Sequence, residues 1–246
     1  MQFDIITVFP EFFTDPLRLG VLGRAQANNR LQVRIHQLRD YTEDRHRKVD
    51  DVPYGGGGGM VIKPEPVFRA VEAIQENFPL ETSRTILLSP QGRRLDQTRI
   101  GELARYHRLI LICGRYEGVD ERIRTGCVDE EISVGDYVLS GGEPAALVLL
   151  DAVGRLQPGV LGNKVSAEKD SFRAGILDCP RYTRPEIFRG MRVPEVLRSG
   201  NHDKIESWRR EKALENTQRK RPDLLKEKQF RPGRKNGRKV SPGVHF

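Results

Sequence analysis

Strands alternating with helices make this chain an α/β protein built on a mostly parallel sheet. Three observations carry that expectation. Apolar runs of strand length recur at Phe3–Phe9, Thr85–Leu88 and Leu109–Cys113. Segments with helical spacing stand between them, with Val67, Ala70, Val71 and Ile74 on one face. Glycine or proline turns at 89–92, 114–118 and 135–142 follow three strand-like segments, at the edge where parallel sheets collect ligands.

The elements follow in order. Phe3–Phe9 (FDIITVF) reads as a buried first strand, and the alternation of Leu31, Val33 and Ile35 as a second. The helix through Val67–Ile74 comes next. Thr85–Leu88 is a short strand that enters the turn Ser89-Pro90-Gln91-Gly92. Asp96 stands where a capping residue belongs, ahead of a helix carrying Ile100, Leu103 and Ala104 inward. Leu109–Cys113 (LILIC) is the most buried-looking strand and runs into Gly114-Arg115-Tyr116-Glu117-Gly118. Glu131–Val134 is the strand before Gly135. Past the glycine turn, Ala146, Leu149, Leu150 and Val153 mark a helix. After Gln157-Pro158-Gly159 the period is lost until Pro185. A loop of that length in a compact protein is functional or disordered. From Pro185 the chain reads as helical and basic, with Asn201 as cap and Ile205, Trp208 and Leu214 as the apolar side. The expected organisation is an α/β domain at 1–160, an interdomain loop at 161–185, a small all-α domain at 186–230 and a basic, disordered tail at 231–246.

Charge is unevenly placed. The net +8 resides entirely in Arg219–Phe246, where ten Lys or Arg face two acids. A balanced body with a basic end suits an anion-binding segment, most often one for nucleic acid, or a solubilising tail. The three cysteines show no CxxC pairing and the five histidines no H-x-x-x-H spacing, so no metal site or disulfide framework is expected. Unpaired cysteines and an acidic start, Met-Gln-Phe-Asp, fit the cytoplasm. The apolar runs are too short to span a membrane.

The stretch from Ile132 to Ala145 passes from a strand through glycines into a helix, which offers main-chain groups to a flat ligand. Neither G-x-G-x-x-G nor a P-loop is present, so a ligand other than a dinucleotide or a P-loop phosphate is expected. The run Gly55–Gly59 is flanked by Asp50, Asp51, Tyr54 and Met60 rather than serines, which favours a close-contact surface over a linker.

Six segments together carry a resemblance: Asp51–Gly57 (DVPYGGG), Leu88–Gly92 (LSPQG), Cys113–Arg122 (CGRYEGVDER), Ser133–Glu143 (SVGDYVLSGGE), Pro158–Gly162 (PGVLG) and Leu177–Pro185 (LDCPRYTRP). In this order and spacing the chain, from Phe3 to about Leu225, resembles the bacterial tRNA (guanine-N1)-methyltransferases, which modify guanosine 37. The resemblance implies a SPOUT-type fold with a C-terminal trefoil knot made of the three turns. It implies S-adenosylmethionine bent within that knot, a homodimer with each active site at the subunit interface, and a magnesium requirement.

It also implies residue roles. The methyl donor would be held by Ser89, Pro90, Gly114, Tyr116 and Glu117, by Val134, Gly135, Asp136, Tyr137, Val138 and Leu139, and by Gly141 and Gly142. The tRNA would meet Tyr54, Glu117, Ser166 and Asp178. Asp170 matches the family's general base and Arg155 the arginine assigned to guanine O6. Elementary chemistry asks for both. Guanine N1 is a poor nucleophile until its proton leaves, which needs a base within hydrogen-bond reach. Charge then gathers at O6, which needs a cation. Tyr116 and Tyr137 read equally as packing residues of a buried turn.

The sequence departs from the family pattern at Gly58, where relatives often have proline, at Pro144, one position early, and in the tail after about Phe230. Two other functions remain open at this level. One is a related knotted methyltransferase acting at another RNA position or on a ribose hydroxyl. The other is an RNA-binding protein without catalysis.

Overall fold

A computed structural model describes residues 1–76, 82–162, 170–172 and 174–229. The chain divides into two compact units, Met1–Lys164 and Val165–Phe246. Ser166 and the tail from 231 lie outside the described residues, as do the expectations placed on them.

In the first unit the strands are β1 (Gln2–Thr7), β2 (Gln32–Gln37), β3 (Asp50–Asp51), β4 (Val61–Ile62), β5 (Ser83–Arg94), β6 (Arg108–Cys113) and β7 (Glu130–Ser133). The helices are α1 (Gly20–Ala27), α2 (Pro64–Gln75), α3 (Gln97–Leu103), α4 (Glu121–Gly126) and α5 (Glu143–Gly154). The described strands form a five-stranded parallel sheet in the order β2-β1-β6-β5-β7, with β3 and β4 as a separate antiparallel pair. The α/β expectation with a mostly parallel sheet holds.

The period of two explains the layers. Leu109, Leu111 and Cys113 of β6 join Phe3 and Ile5 in a core under Leu22 and Ala25 of α1, Ile100 and Leu103 of α3, and the apolar stripe of α5. Ile110 and Ile112 point the other way, with Ile6, into a core covered by Val67, Ala70 and Val71 of α2 and Ile123 of α4. All six residues of β6 are buried, as the run LILIC requires of a strand covered on both faces. Removing one such side chain, Leu111→Ala, costs about 2–5 kcal/mol.

Polar groups inside the sheet are paired. Asp4, 1% exposed, accepts from Gln2 Nε2 at 2.9 Å, lies 2.8 Å from His36 Nε2 and 3.2 Å from Arg108 Nε. Arg108 Nη1 donates to the carbonyl of Ile74 at 2.6 Å, tying α2 to the same point.

Several elements differ from expectation. β1 stops at Thr7 because Pro10 opens a 3-10 turn, Pro10–Phe13. Asp96 does cap α3, accepting from Arg99 N at 2.7 Å. The strand expected at 85–88 runs on to Arg94 after an excursion at 89–92. Ile132 of β7 is the register partner of both Leu88 and Arg93. The excursion closes because Gly92 lies against β7: a Cβ there would sit 2.4 Å from Ile132 N.

The second unit is not all-α. β8 (Ile187–Phe188) and β9 (Met191–Arg192) pair across Arg189 and Gly190, whose φ angles of 50° and 79° are those a tight hairpin turn demands. A 3-10 turn at Glu195–Arg198 leads to a long helix, His202–Lys220, and a short one, Asp223–Gln229. Asn201 caps the long helix, accepting from Lys204 N at 3.1 Å. Its buried positions are Ala213 and Thr217, in line with half-buried Ile205 and Trp208, while Leu214 is exposed. Leu214 falls on the neighbouring stripe, so the expected apolar side is corrected there.

Candidate active site

Within the first unit, the turns that follow the first segment of β5, β6 and β7 meet around a cavity of about 350 Å³. That is within the roughly 300–1,000 Å³ range of small-ligand sites. From the first turn it is lined by Ser89, Pro90 and Gln91, and from the second by Gly114, Arg115, Tyr116, Glu117 and Gly118. The third turn contributes Val134, Gly135, Tyr137, Val138, Leu139, Ser140, Gly141 and Gly142. Of the residues the resemblance assigned to the methyl donor, Asp136 alone is absent from this wall; it is exposed and lies 3.5 Å from Arg94. Glu121, Arg124 and Ala145 also line the cavity and were not anticipated.

Main-chain contacts set the turns. Gly142 N donates to Gly114 O at 2.8 Å, and a Cβ on Gly142 would lie 2.7 Å from Cys113 Cα. The second and third turns therefore touch only because position 142 has no side chain. The second turn is also sewn to β4, since Glu117 N donates to Met60 O and Ile62 N to Gly118 O, both at 3.0 Å. In the third turn Ser133 Oγ bridges to Gly135, and Tyr137 OH donates to Val134 O at 3.4 Å.

Tyr116 and Tyr137 are 47% and 58% exposed. They are not packing residues of a buried turn, because the cavity they flank is open. Tyr116 holds φ at 61°, a left-handed conformation that costs a non-glycine residue energy and recurs at ligand sites. Tyr54 is fully exposed at the head of the glycine run, where Gly55, Gly56, Gly57 and Gly59 all have positive φ.

Burial raises the Cys113 thiol well above its ordinary value, reinforced by the Glu143 carboxylate, so it stays protonated at the base of the second turn. Arg155 closes α5, with its N–H on Asp151 O at 3.0 Å. It does not line the cavity. α5 has 12 residues and is therefore about 18 Å long. Its final Gly154 rests against Leu31, just before β2, so Arg155 stands at the edge of the sheet opposite the cavity of its own chain.

The second unit carries the other acids. Asp178 accepts from Cys179 N at 2.7 Å and from Arg181 Nη2 at 2.8 Å. Burial pushes its carboxyl up, but the Arg181 guanidinium and the Cys179 N–H more than offset this and hold it below its ordinary value. Its segment docks on the long helix through Leu177 N to Thr217 Oγ1 and Asn216 Nδ2 to Asp178 O, both 3.0 Å. Tyr182 and Trp208 pack with ring centroids 6.3 Å apart. Asp170 is half-buried in this unit, and Arg181 is held above its ordinary value by Asp178 first and by Asp170 as a further charge. Among the described residues no group of three or more His, Cys, Asp or Glu could hold a metal ion, and no helix is long and apolar enough to cross a membrane.

A parallel α/β sheet with a glycine-walled cavity at the carboxyl edge of its strands defines a small-ligand-binding α/β protein. The comparisons narrow that class. Residues 1–227 match the family described as tRNA (Guanine-1)-methyltransferase TrmD. A tRNA (guanine-N(1)-)-methyltransferase of Geobacter sulfurreducens is 55% identical over 92% of this chain and 91% of its own length. Proteins of the same name from Carboxydothermus hydrogenoformans and Dehalococcoides mccartyi are 54% and 52% identical, each over 92% of this chain and covering 88% and 90% of their own lengths. The chain belongs to the tRNA (guanine-N1)-methyltransferase family.

Proposed function

We propose that this protein transfers a methyl group from S-adenosylmethionine to N1 of guanosine 37 in tRNA. The observation that carries the reading is that three turns of a family member wall one cavity of small-ligand size. S-adenosylmethionine supplies an electrophilic methyl on a sulfonium sulfur. The residues suit it. The main chain of Pro90, Gly114, Val134, Gly135 and Tyr137–Leu139 offers polar groups to its adenine and methionine parts, and Gly142 lets the second and third turns close together along one wall. The second and third turns are proposed as crossings of a SPOUT-type trefoil knot, a reading supported by the Gly142–Gly114 contact.

Asp170 takes the N1 proton, and Arg155 neutralises the charge that gathers at O6. Arg155 stands a helix length from its own cavity, which supports a homodimer in which each copy's Arg155 serves the other's cavity. Asp178, whose carboxyl the Arg181 guanidinium helps hold below its ordinary value, stays ionised and orients the substrate. Glu117 and Tyr54 contact the guanine or its neighbour. Magnesium is left without assigned residues, since no group of three or more His, Cys, Asp or Glu stands together among the described residues. Basic residues of the second unit grip phosphates, which position RNA without reading it. The target base is flipped from its stack into the cavity. A tRNA substrate supports a cytoplasmic location.

The test is methylation of tRNA transcripts bearing G37 or A37, with mapping of the modified atom. Product at N1 of G37 is expected; product on A37 or on a ribose oxygen overturns the reading. Asp170→Ala should lower the single-turnover rate by about 10²–10⁴-fold while leaving donor binding intact.

A further inference from the structure

Glu143, the first residue of α5, is 0% exposed. A carboxylate taken fully out of water is costly unless it is paired and hydrogen-bonded. Two side chains satisfy it. Thr7 Oγ1, at the end of β1, donates to Oε1 at 2.7 Å, and Arg115 Nε donates to Oε2 at 2.9 Å. Each partner reaches further. Thr7 Oγ1 accepts from Phe9 N at 3.0 Å. Arg115 Nη1 donates to Ser140 O at 3.1 Å, and its guanidinium lies over the Phe9 ring, 4.5 Å from the centroid.

One set of contacts therefore joins the end of β1, the start of α5, and the second and third turns of the cavity. Its geometry depends on position 141 as well. A Cβ on Gly141 would lie 2.1 Å from Arg115 Nε, so Arg115 crosses the third turn only because no side chain stands there. Arg115 sits between Gly114 and Tyr116 in the cavity wall, whereas Glu143 is not part of that wall.

A buried ion pair that served stability alone could be exchanged for an apolar pair. This one differs in where Arg115 ends. Its second arm holds a main-chain carbonyl of the third turn, which no apolar side chain can do.

We propose that Glu143 is a positioning residue: acting through Arg115, it fixes the third turn against the second and so sets the width of the methyl-donor cavity. The proposal rests on the methyl-donor reading of that cavity. Glu143 removes the freedom of the guanidinium, and the guanidinium in turn holds Ser140. Without the charge at 143, Arg115 can turn to solvent and release the third turn.

Three proteins test this: wild type, Glu143→Gln, and the apolar double variant Glu143→Leu with Arg115→Met. Calorimetry with S-adenosylmethionine should show Kd raised about tenfold or more in both variants. For Glu143→Gln, steady-state kinetics should show KM for the donor rising with it, while kcat at saturation stays within about threefold of wild type. The double variant should recover most of the thermal midpoint lost by Glu143→Gln, because no charge is left buried, yet keep the raised Kd. A Kd that recovers along with the midpoint, or that stays within about twofold of wild type in both variants, overturns the proposal.

Hydrogen exchange on the ligand-free proteins separates this proposal from the donor reading. Amides of 134–142 should exchange about tenfold faster in Glu143→Gln with those of β1 and β6 unchanged. A uniform change across the unit, or none, overturns the latch even if donor binding fails for other reasons. Wild type that binds no donor but shows the local exchange change overturns the ligand assignment and leaves the latch standing.

Discussion

Two buried carboxylates, one within a strand of the parallel sheet and one just past its carboxyl edge, are used differently. Asp4 is surrounded by residues of regular elements: Gln2 and Arg108 open β1 and β6, His36 lies in β2, and Arg108 continues to α2. Glu143 is surrounded by ends and turns: Thr7 ends β1, and Arg115 and Ser140 belong to the cavity wall. The Asp4 cluster is also closed on itself. Tyr41 OH lies 2.9 Å from His36 Nδ1, and burial first, then Asp40 and Asp4, raise the Tyr41 phenol so that it stays protonated. A charge placed mid-strand fixes register and holds the sheet. The same chemistry at the strand's carboxyl end is available to loops.

Breaking that contrast starts with its largest expected effect. Asp4→Ala breaks the buried pair with Arg108 inside the sheet and should cost about 3–5 kcal/mol in denaturant unfolding. Donor affinity of the folded fraction should not change; a loss would mean that the two clusters are not separate in function. Thr7→Val removes a donor to Glu143 and the acceptor for Phe9 N, so about 1–3 kcal/mol is expected. Here donor affinity should fall too, in the same calorimetric measurement.

Gly58→Pro probes the glycine run. Gly58 alone in the run of five lacks a positive φ, so proline should be tolerated and add about 0.4–1 kcal/mol by restricting the unfolded chain. A fall in the thermal midpoint would show that its φ or its N–H cannot be spared.

The smallest effect concerns Asp178 in the second unit. Its carboxyl is held below the ordinary 3.8, so the pairing contributes full stability above that value and loses it as pH falls through the lower folded-state value. Carboxyl carbon shifts followed by NMR should place its titration below 3.8, and Arg181→Ala should return it towards 3.8. An unchanged titration in Arg181→Ala would remove Arg181 as the cause.

Local signals were legible in the sequence. Asp96 and Asn201 announced their helices, LILIC announced the central strand, and the three turns announced the cavity wall. What could not be read was pairing between distant segments. Nothing in Ser89-Pro90-Gln91-Gly92 says that the strand resumes beyond it, because that is decided by Ile132. Arg115 stood in a quoted motif without a role, since its partner Glu143 is 28 positions away. α1 and α4, with 8 and 6 residues, are too short to show a period. The β8–β9 hairpin has only two residues per strand. Arg155 was matched to guanine O6 by resemblance, at the end of the helix that begins beside the cavity. Yet a 12-residue helix carries its last residue away from its first by its whole length.

The double use of Ile132 by β5 has a thermodynamic consequence. The 89–92 excursion is clamped at both ends by one strand on one neighbour, so it cannot shift without breaking sheet pairing on both sides. This wall is preorganised, and a ligand that settles against it loses little to ordering. Affinity in this family member is therefore expected to owe little to ordering entropy on the strand side.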